Sequence, residues 1–292
     1  MNYVEELLKS LYVMASMVEA RDAYTGGHLW RVSQFSKILA TAKGLPDKDV
    51  ARIAMGGFLH DLGKISVPDA ILGKTGRLTD KEYDVIKTHP AIGYQILSGH
   101  PLSPLAQDAV LFHHERPDGK GYPQGLKSDA ISIDAKIVGI TDAFDAMTST
   151  RSYRRGMPVE KALAIIEECA GSQFDAELSH LFIRLGREGA LDHTVGHSDT
   201  GIPLQKCLSC GPTIVIRREQ KTGDYVYCRP CGYRTTVIRE NGSIGIQSLT
   251  KNMFAKFPPT IHVPDAELTP EVDMPLIQEL VAEAANLLAL PG

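Results

Sequence analysis

The stretch DVARIAMGGFLHDLGK, residues 49–64, decides the fold class. Its apolar residues recur at the helical period, and the run ends on the pair His60–Asp61. The segments HLWRVSQFSKILATAK (28–43) and DKEYDVIKTHPAIGYQIL (80–97) repeat that period on either side. Gly44-Leu45-Pro46, the glycines from 73 to 76 and the glycine-proline stretch 117–125 mark the loops between them. Alternating strand patterns are missing from 28 to about 185, so this region is expected to be all-α.

The texture differs at both flanks. Val4, Leu8, Leu11, Ala15 and Val18 form one helical stripe in an N-terminal helix, residues 1–20. Packing on its own domain is the preferred reading; five positions leave a homodimer seam open but do not make a coiled coil. The helical domain is assigned to 21–190, followed by a polar, turn-rich linker at 191–203. Residues 204–247 hold the short alternating runs TIVIRRE, DYVYC and YRTTVIRE between KTGD and NGS turns, the pattern of a small antiparallel sheet. From 248 to 292 a proline-punctuated extended tail leads into a helix from about Pro275 to Leu290, with Leu276, Leu280, Ala284 and Leu287 on one side. The expected fold class is mainly α, with a small β module appended.

Composition narrows the function classes. The chain has 292 residues, 43% of them hydrophobic and 23% charged, which is ordinary for a globular protein. A net charge of -4 gives no general field for nucleic acid or membrane. No run approaches the roughly 20 apolar residues of a bilayer span, and the first residues lack the features of a signal peptide. The chain therefore reads as cytoplasmic, with no membrane partner.

Histidine is distributed unevenly. His60–Asp61 lies in FLHDLGK, His89 in KTHPAIG, His113–His114 in LFHHERPDGKGYP, His28 in YTGGHLWRV, and Asp142 in the apolar run IVGITDAFDAM. Any one of these is ordinarily a hydrogen-bonded core residue. Together, adjacent polar rings and carboxylates bordering apolar helices would be costly to bury unpaired. A metal cluster satisfies them jointly, since imidazole and carboxylate suit Fe, Mn, Zn or Co. Two ions about 3.5–4 Å apart can clamp a phosphodiester for in-line attack. Asp61 is the carboxylate able to bridge both, and Lys64 would direct a cation at the phosphate. Glu115 could orient a ligand ring. Asp118 is read as a surface ion pair and Asp145 as a helix-packing contact.

HDLGK (60–64) with HHERPDGKGYPQGL (113–126) resembles the HD-GYP family, a branch of the HD-domain phosphohydrolases. YTGGHLWRV, ISVPDAIL, LTDKEYDVIKTHPAIG, AKIVGITDAFDAMTSTRSYR and GSQFDAEL follow in the family's order, so the likeness covers about residues 20–185. It implies an all-helical fold and hydrolysis of cyclic di-GMP to linear pGpG, to GMP, or to both. One ion would be held by His28, His60, Asp61 and Asp142, and a second by Asp61, His89, His113 and His114. Lys64 would contact the scissile phosphate; Tyr122, Arg151 and Arg154 would hold the substrate. Trinuclear members carry a glutamate where this chain has Tyr24, so two divalent ions, Fe or Mn, are expected. Thr150 and Ser152 also depart from the family's usual aspartate and proline.

Cys207-Leu-Ser-Cys210 and Cys228-Arg-Pro-Cys231 form two CxxC knuckles separated by seventeen residues. That spacing predicts one structural Zn, because a sheet of this size buries too little surface to fold unaided. Seven basic residues against three acidic ones lie between 204 and 247 (Lys206, Arg217, Arg218, Lys221, Arg229, Arg234 and Arg239 against Glu219, Asp224 and Glu240). This permits nucleic-acid contact, with docking of a protein partner preferred. The expected activity is that of a binuclear, metal-dependent cyclic dinucleotide phosphodiesterase. The rivals are a phosphohydrolase for another nucleotide or RNA, and a catalytically weak cyclic dinucleotide sensor signalling through the ribbon.

Overall fold

The computed structural model describes residues 3–21, 26–74, 76–150, 155–211, 213–228, 231–240, 242–248 and 272–288. Helix α1 (Tyr3–Arg21) leads into α2 (His28–Ala42) and α3 (Asp47–Leu59). A 3₁₀ turn (Leu62–Ser66), α4 (Asp69–Leu72), α5 (Asp80–Ile86), α6 (His89–Ser98) and α7 (Gln107–Phe112) follow. The domain then closes with α8 (Ile133–Thr148), α9 (Val159–Cys169) and α10 (Ala176–Arg187). Local signals set several boundaries. Thr79 and Glu82 cap α5 reciprocally, while Ser132 and Asp175 accept the Ala135 and Leu178 amides at the starts of α8 and α10.

The run at 80–97, continuous in its periodicity, is broken in the structure. Pro90 lacks the N–H that a helix interior needs, so α5 stops at Ile86 and α6 begins afresh at His89. This break puts His89 at a helix start, where its ring can turn inward.

Among the described residues, two large apolar clusters and a small one of Val32, Ala109 and Val138 hold the domain. Phe35 of α2, Phe144 of α8 and Phe182 of α10 meet edge to face, with centroids 5.0–6.4 Å apart, amid side chains from α3 and α9. The second cluster lies between α1, α3 and a C-terminal helix, α11 (Met274–Leu288). Leu8, Leu11 and Ala15 of α1 are at most 1% exposed there, so the stripe that left a dimer seam open is covered within one chain. The buried face of α11 is rotated from the expected one. Ile277, Leu280, Val281, Ala284 and Leu288 are buried, whereas Leu276 and Leu287 are only partly so.

The segment at 191–203 packs closely. It holds a hairpin of β1 (His197–Asp199) and β2 (Ile202–Pro203) seated on α2, with Ser198, Asp199 and Ile202 buried. Beyond it, β3 (Gln205–Lys206) pairs with β4 (Thr213–Ile214). A three-stranded antiparallel sheet joins β5 (Tyr225–Tyr227), β6 (Arg234–Glu240) and β7 (Ser243–Ser248). Only the first two residues of TIVIRRE form a strand; Arg217 onward turns away under hydrogen bonds from Arg239 to the Arg217 and Gln220 carbonyls. The proline-punctuated part of the tail, with His262, lies outside the described residues.

Candidate metal centre

The seven sequence-predicted metal ligands converge from the ends of four helices and the middle of a fifth. His28 opens α2, His60 and Asp61 follow the last turn of α3, His89 opens α6, His113 and His114 follow α7, and Asp142 lies on α8. Gly63 makes the convergence fit. A Cβ there would lie 1.8 Å from the His89 carbonyl oxygen and 2.5 Å from the Gly93 nitrogen. Only glycine lets the turn after Asp61 close onto the start of α6.

Each inner ring is aimed by its Nδ1. That atom of His60 meets the Gly57 carbonyl at 2.7 Å, that of His89 the Ile86 carbonyl at 2.8 Å, and that of His113 the Ala109 carbonyl at 2.9 Å. In His28 the Nδ1 partner is the Asp145 carboxylate, at 2.7 Å. A carbonyl can only accept, so the Nδ1 atoms of His60, His89 and His113 carry the protons. The Nε2 atoms of His89 and His113 then present lone pairs to the centre, and that of His60 does so once its second proton leaves, the orientation metal-ligating imidazoles need.

The ligand atoms are arranged as a cation would require. The buried Nε2 atoms of His28 and His60 have no hydrogen-bond partner. Each faces Asp61 Oδ2 and Asp142 Oδ1 at 3.4–3.6 Å. The Nε2 atoms of His89 and His113 approach to 3.2 Å. With both protons on Nδ1, two lone pairs would oppose each other there, an arrangement a shared cation relieves. Asp61 reaches both halves, its Oδ1 lying 3.4 Å from His89 and its Oδ2 beside His28 and His60. Potential ligand atoms of His89, His113 and His114, of His28, His60 and Asp142, and of His60, Asp61 and His113 lie within 4.8 Å of one another in each group. The residues therefore fit a centre of more than one ion.

The electrostatics divide the centre. Burial holds His89 down to about 3 and His114 to about 4, with His113 well below the usual range. Burial also opposes charge on His28 and His60, but Asp145, Asp61 and Asp142 outweigh it and raise both. Asp61 and Asp142 sit well below the usual carboxylate range despite burial, with His60 the chief partner of each. Lys64 adds to the effect on Asp61, its Nζ 2.6 Å from Asp61 Oδ2.

Tyr122 stacks its ring on His114, with centroids 4.7 Å apart, which seats the GYP turn on the ligand pair. Arg151 and Arg154 lie outside the described residues, as do Tyr24 and Ser152. Glu115 does not orient a ligand ring. Its carboxylate accepts the amides of Gln124, Gly125 and Leu126 at 2.6–3.1 Å, pinning the loop that carries Tyr122. Asp118 pairs with Arg116. Asp145 does more than pack helices: it is 1% exposed and bridges His28 to Arg31, whose Nε donates to it at 2.6 Å. The sequence reading missed Arg31. Its signal was an arginine one turn after His28, facing a helix that carries Asp142 and Asp145 one turn apart.

The four cysteines of the ribbon also meet. Sulfur–sulfur distances of 3.5–3.7 Å link Cys207 to Cys210 and Cys231, and Cys210 to Cys228. A disulfide needs about 2.05 Å, whereas four thiolates about 2.3 Å from one zinc stand about 3.8 Å apart. Burial opposes ionisation of Cys207, but the Cys210 and Ser209 amides pull it down to about 7. Several of the ribbon's cations are engaged internally. Arg218 pairs with Asp199 and Glu279, Arg239 donates to backbone carbonyls, and Arg234 lies 4.7 Å over the Tyr225 ring. Among the described residues, no helix is long and apolar enough to cross a membrane.

The HD domain family matches residues 12–178. The cyclic di-GMP phosphodiesterase of Thermotoga maritima is 39% identical over 188 residues, 64% of this chain and 51% of that protein. The cyclic di-GMP phosphodiesterase response regulator RpfG of Xanthomonas campestris is 41% identical over 187 residues, 63% of this chain and 50% of that protein. The 3'3'-cGAMP-specific phosphodiesterase 3 of Vibrio cholerae is 39% identical over 163 residues, 55% of this chain and 35% of that protein. The chain thus spans about half, or less, of the length of these curated relatives. With a centre built on His60–Asp61 and a family match across more than half its length, the chain belongs to the HD-domain family.

Proposed function

We propose that the protein is a metal-dependent phosphodiesterase for cyclic dinucleotides, with cyclic di-GMP the preferred substrate and pGpG, GMP or both as products. The observation that carries this reading is the pair of histidine nitrogens, His89 and His113, facing each other at 3.2 Å within reach of Asp61. The names of the relatives supply the substrate class. His28, His60, Asp61 and Asp142 would hold one divalent ion, and Asp61, His89, His113 and His114 a second. Fe and Mn suit this donor set, and zinc suits the four cysteines. When bound, such ions supply Lewis acidity toward a phosphodiester and lower the pKa of a water.

The chain's own groups do the rest. Asp61 joins the two halves. Lys64, held on Asp61, places a cation where phosphate charge develops. Tyr122, fixed on His114, offers a face to the substrate, with Arg151 and Arg154 as the phosphate clamp. The test is anaerobic purification, metal counting per chain, and chromatography of cyclic di-GMP and 3'3'-cGAMP incubated with the same preparation. One Zn with two Fe or Mn and conversion of cyclic di-GMP is the expected result. A full metal complement without conversion of either nucleotide, after reduction and addition of Mn, would remove the proposed activity.

A further inference from the structure

Among the described residues, Arg31 is the largest fully buried side chain, 1% exposed, and all five of its donors are used. Nε and Nη2 hold the two oxygens of Asp145 at 2.6 and 3.1 Å, and Nη2 also reaches Ser149 at 3.1 Å. Nη1 donates to the Gly26 carbonyl at 3.0 Å and to the His197 carbonyl at 2.8 Å. One planar group therefore joins the carboxylate behind His28 to the backbone of the β1–β2 hairpin, 166 residues away in sequence.

The hairpin and the ribbon beyond it form one body. Ile202 of β2 shares a core with Cys207, Cys228, Ile214, Ile216 and Val226. Asp199 is 2% exposed and pairs with Arg218, which also pairs with Glu279 of α11. This body seats on the two glycines that lead into the ligand helix. A Cβ on Gly26 would lie 2.3 Å from Val215 Cγ2. Gly27 has a φ of +73°, and a Cβ there would lie 2.6 Å from Ser198 Cα.

We propose that the four-cysteine ribbon is a positioning element for the metal centre. By seating on Gly26–Gly27 and fixing Arg31, it orients Asp145 and the ring of His28, so that loading of the cysteine cluster sets how tightly the centre holds its metal. The physical reason is the size of the ribbon core, which is too small to persist without the four-thiolate cross-link. When that core loosens, Arg31 loses an acceptor and the packing that dries it, and the imidazole behind it is no longer held in one orientation. Outer partners of metal-bound histidines typically contribute about 10–100-fold to metal affinity. The inference rests on the reading of His28 as a metal ligand.

The test uses the full chain and Mn(II), which thiolate sites take poorly. Free Mn(II) is followed by its electron paramagnetic resonance signal, with far-UV circular dichroism recorded on every sample. The zinc-loaded wild type is compared with Cys210→Ser/Cys231→Ser. With the helical signal kept, a loss of Mn(II) affinity of about tenfold or more in the variant is expected. Equal affinity would overturn the proposal. If the variant loses its helices, zinc-loaded Gly26→Ala decides, with Val215→Ala added in a second protein to remove the atom it meets. Weaker Mn(II) binding in the first, restored in the second, is expected; no restoration would overturn the proposal. A wild type holding about one zinc per chain, confined to the cysteines, that binds no Mn(II) would instead remove the metal-centre reading itself.

Discussion

Among the described residues, Asp61 is the one carboxylate within 3.5 Å of His28, His60 and His89, so it faces both halves of the candidate centre. Replacing His60 and Asp61 together by alanine is expected to abolish turnover and empty the helical centre while ribbon zinc stays near one per chain. Metal counting checks this, and equal loss of both metal populations would mean collapse of the fold. The protonation states give a second expectation. In metal-free protein His28 and His60 hold protons above their ordinary range, whereas His89 and His114, at about 3 and 4, have none to lose. A metal entering the His28–His60 half must displace protons, so its affinity should rise with pH between about 6 and 8. Proton release on adding Mn(II) to weakly buffered protein measures it; binding without release would contradict this division of the centre.

At the scale of elements, the centre depends on helix ends. A helix terminus can carry a histidine inward with its Nδ1 on a carbonyl of the preceding turn, as His60, His89 and His113 do. The close approach at Gly63 holds the turn after α3 against α6. Gly63→Ala must push these elements apart, because the atoms it meets are backbone. The expected cost is about 1–3 kcal/mol in urea unfolding of metal-free protein, together with weaker metal binding. Unchanged stability and metal content would refute the role of this contact.

Over the whole molecule, α11 closes the domain by covering α1 and α3, and Arg218 links it to the ribbon. Ile277, 1% exposed, faces that core. Ile277→Ala should therefore cost about 2–5 kcal/mol, and Leu276→Ala, on the partly buried side, distinctly less. Thermal or urea unfolding of the two variants separates the faces; equal effects would mean that α11 packs differently. Arg31→Ala should cost about 3–5 kcal/mol by leaving the Asp145 charge buried without its partner.

Periodicity along the chain determined the helical domain, and residue types in local pairs determined the candidate ligands and the four cysteines. These signals survive in one dimension because a helix repeats every 3.6 residues and a CxxC knuckle is local. The tertiary structure decided what depends on contacts between distant segments. Glu115 became a loop anchor, Asp145 became the partner of His28, and Arg31 the partner of Asp145. The polar connection at 191–203 became a packed hairpin, and the apolar face of α11 turned toward Ile277. None of these follows from spacing, because a buried charge and an exposed one look alike in sequence until the fold supplies the partner that determines its role.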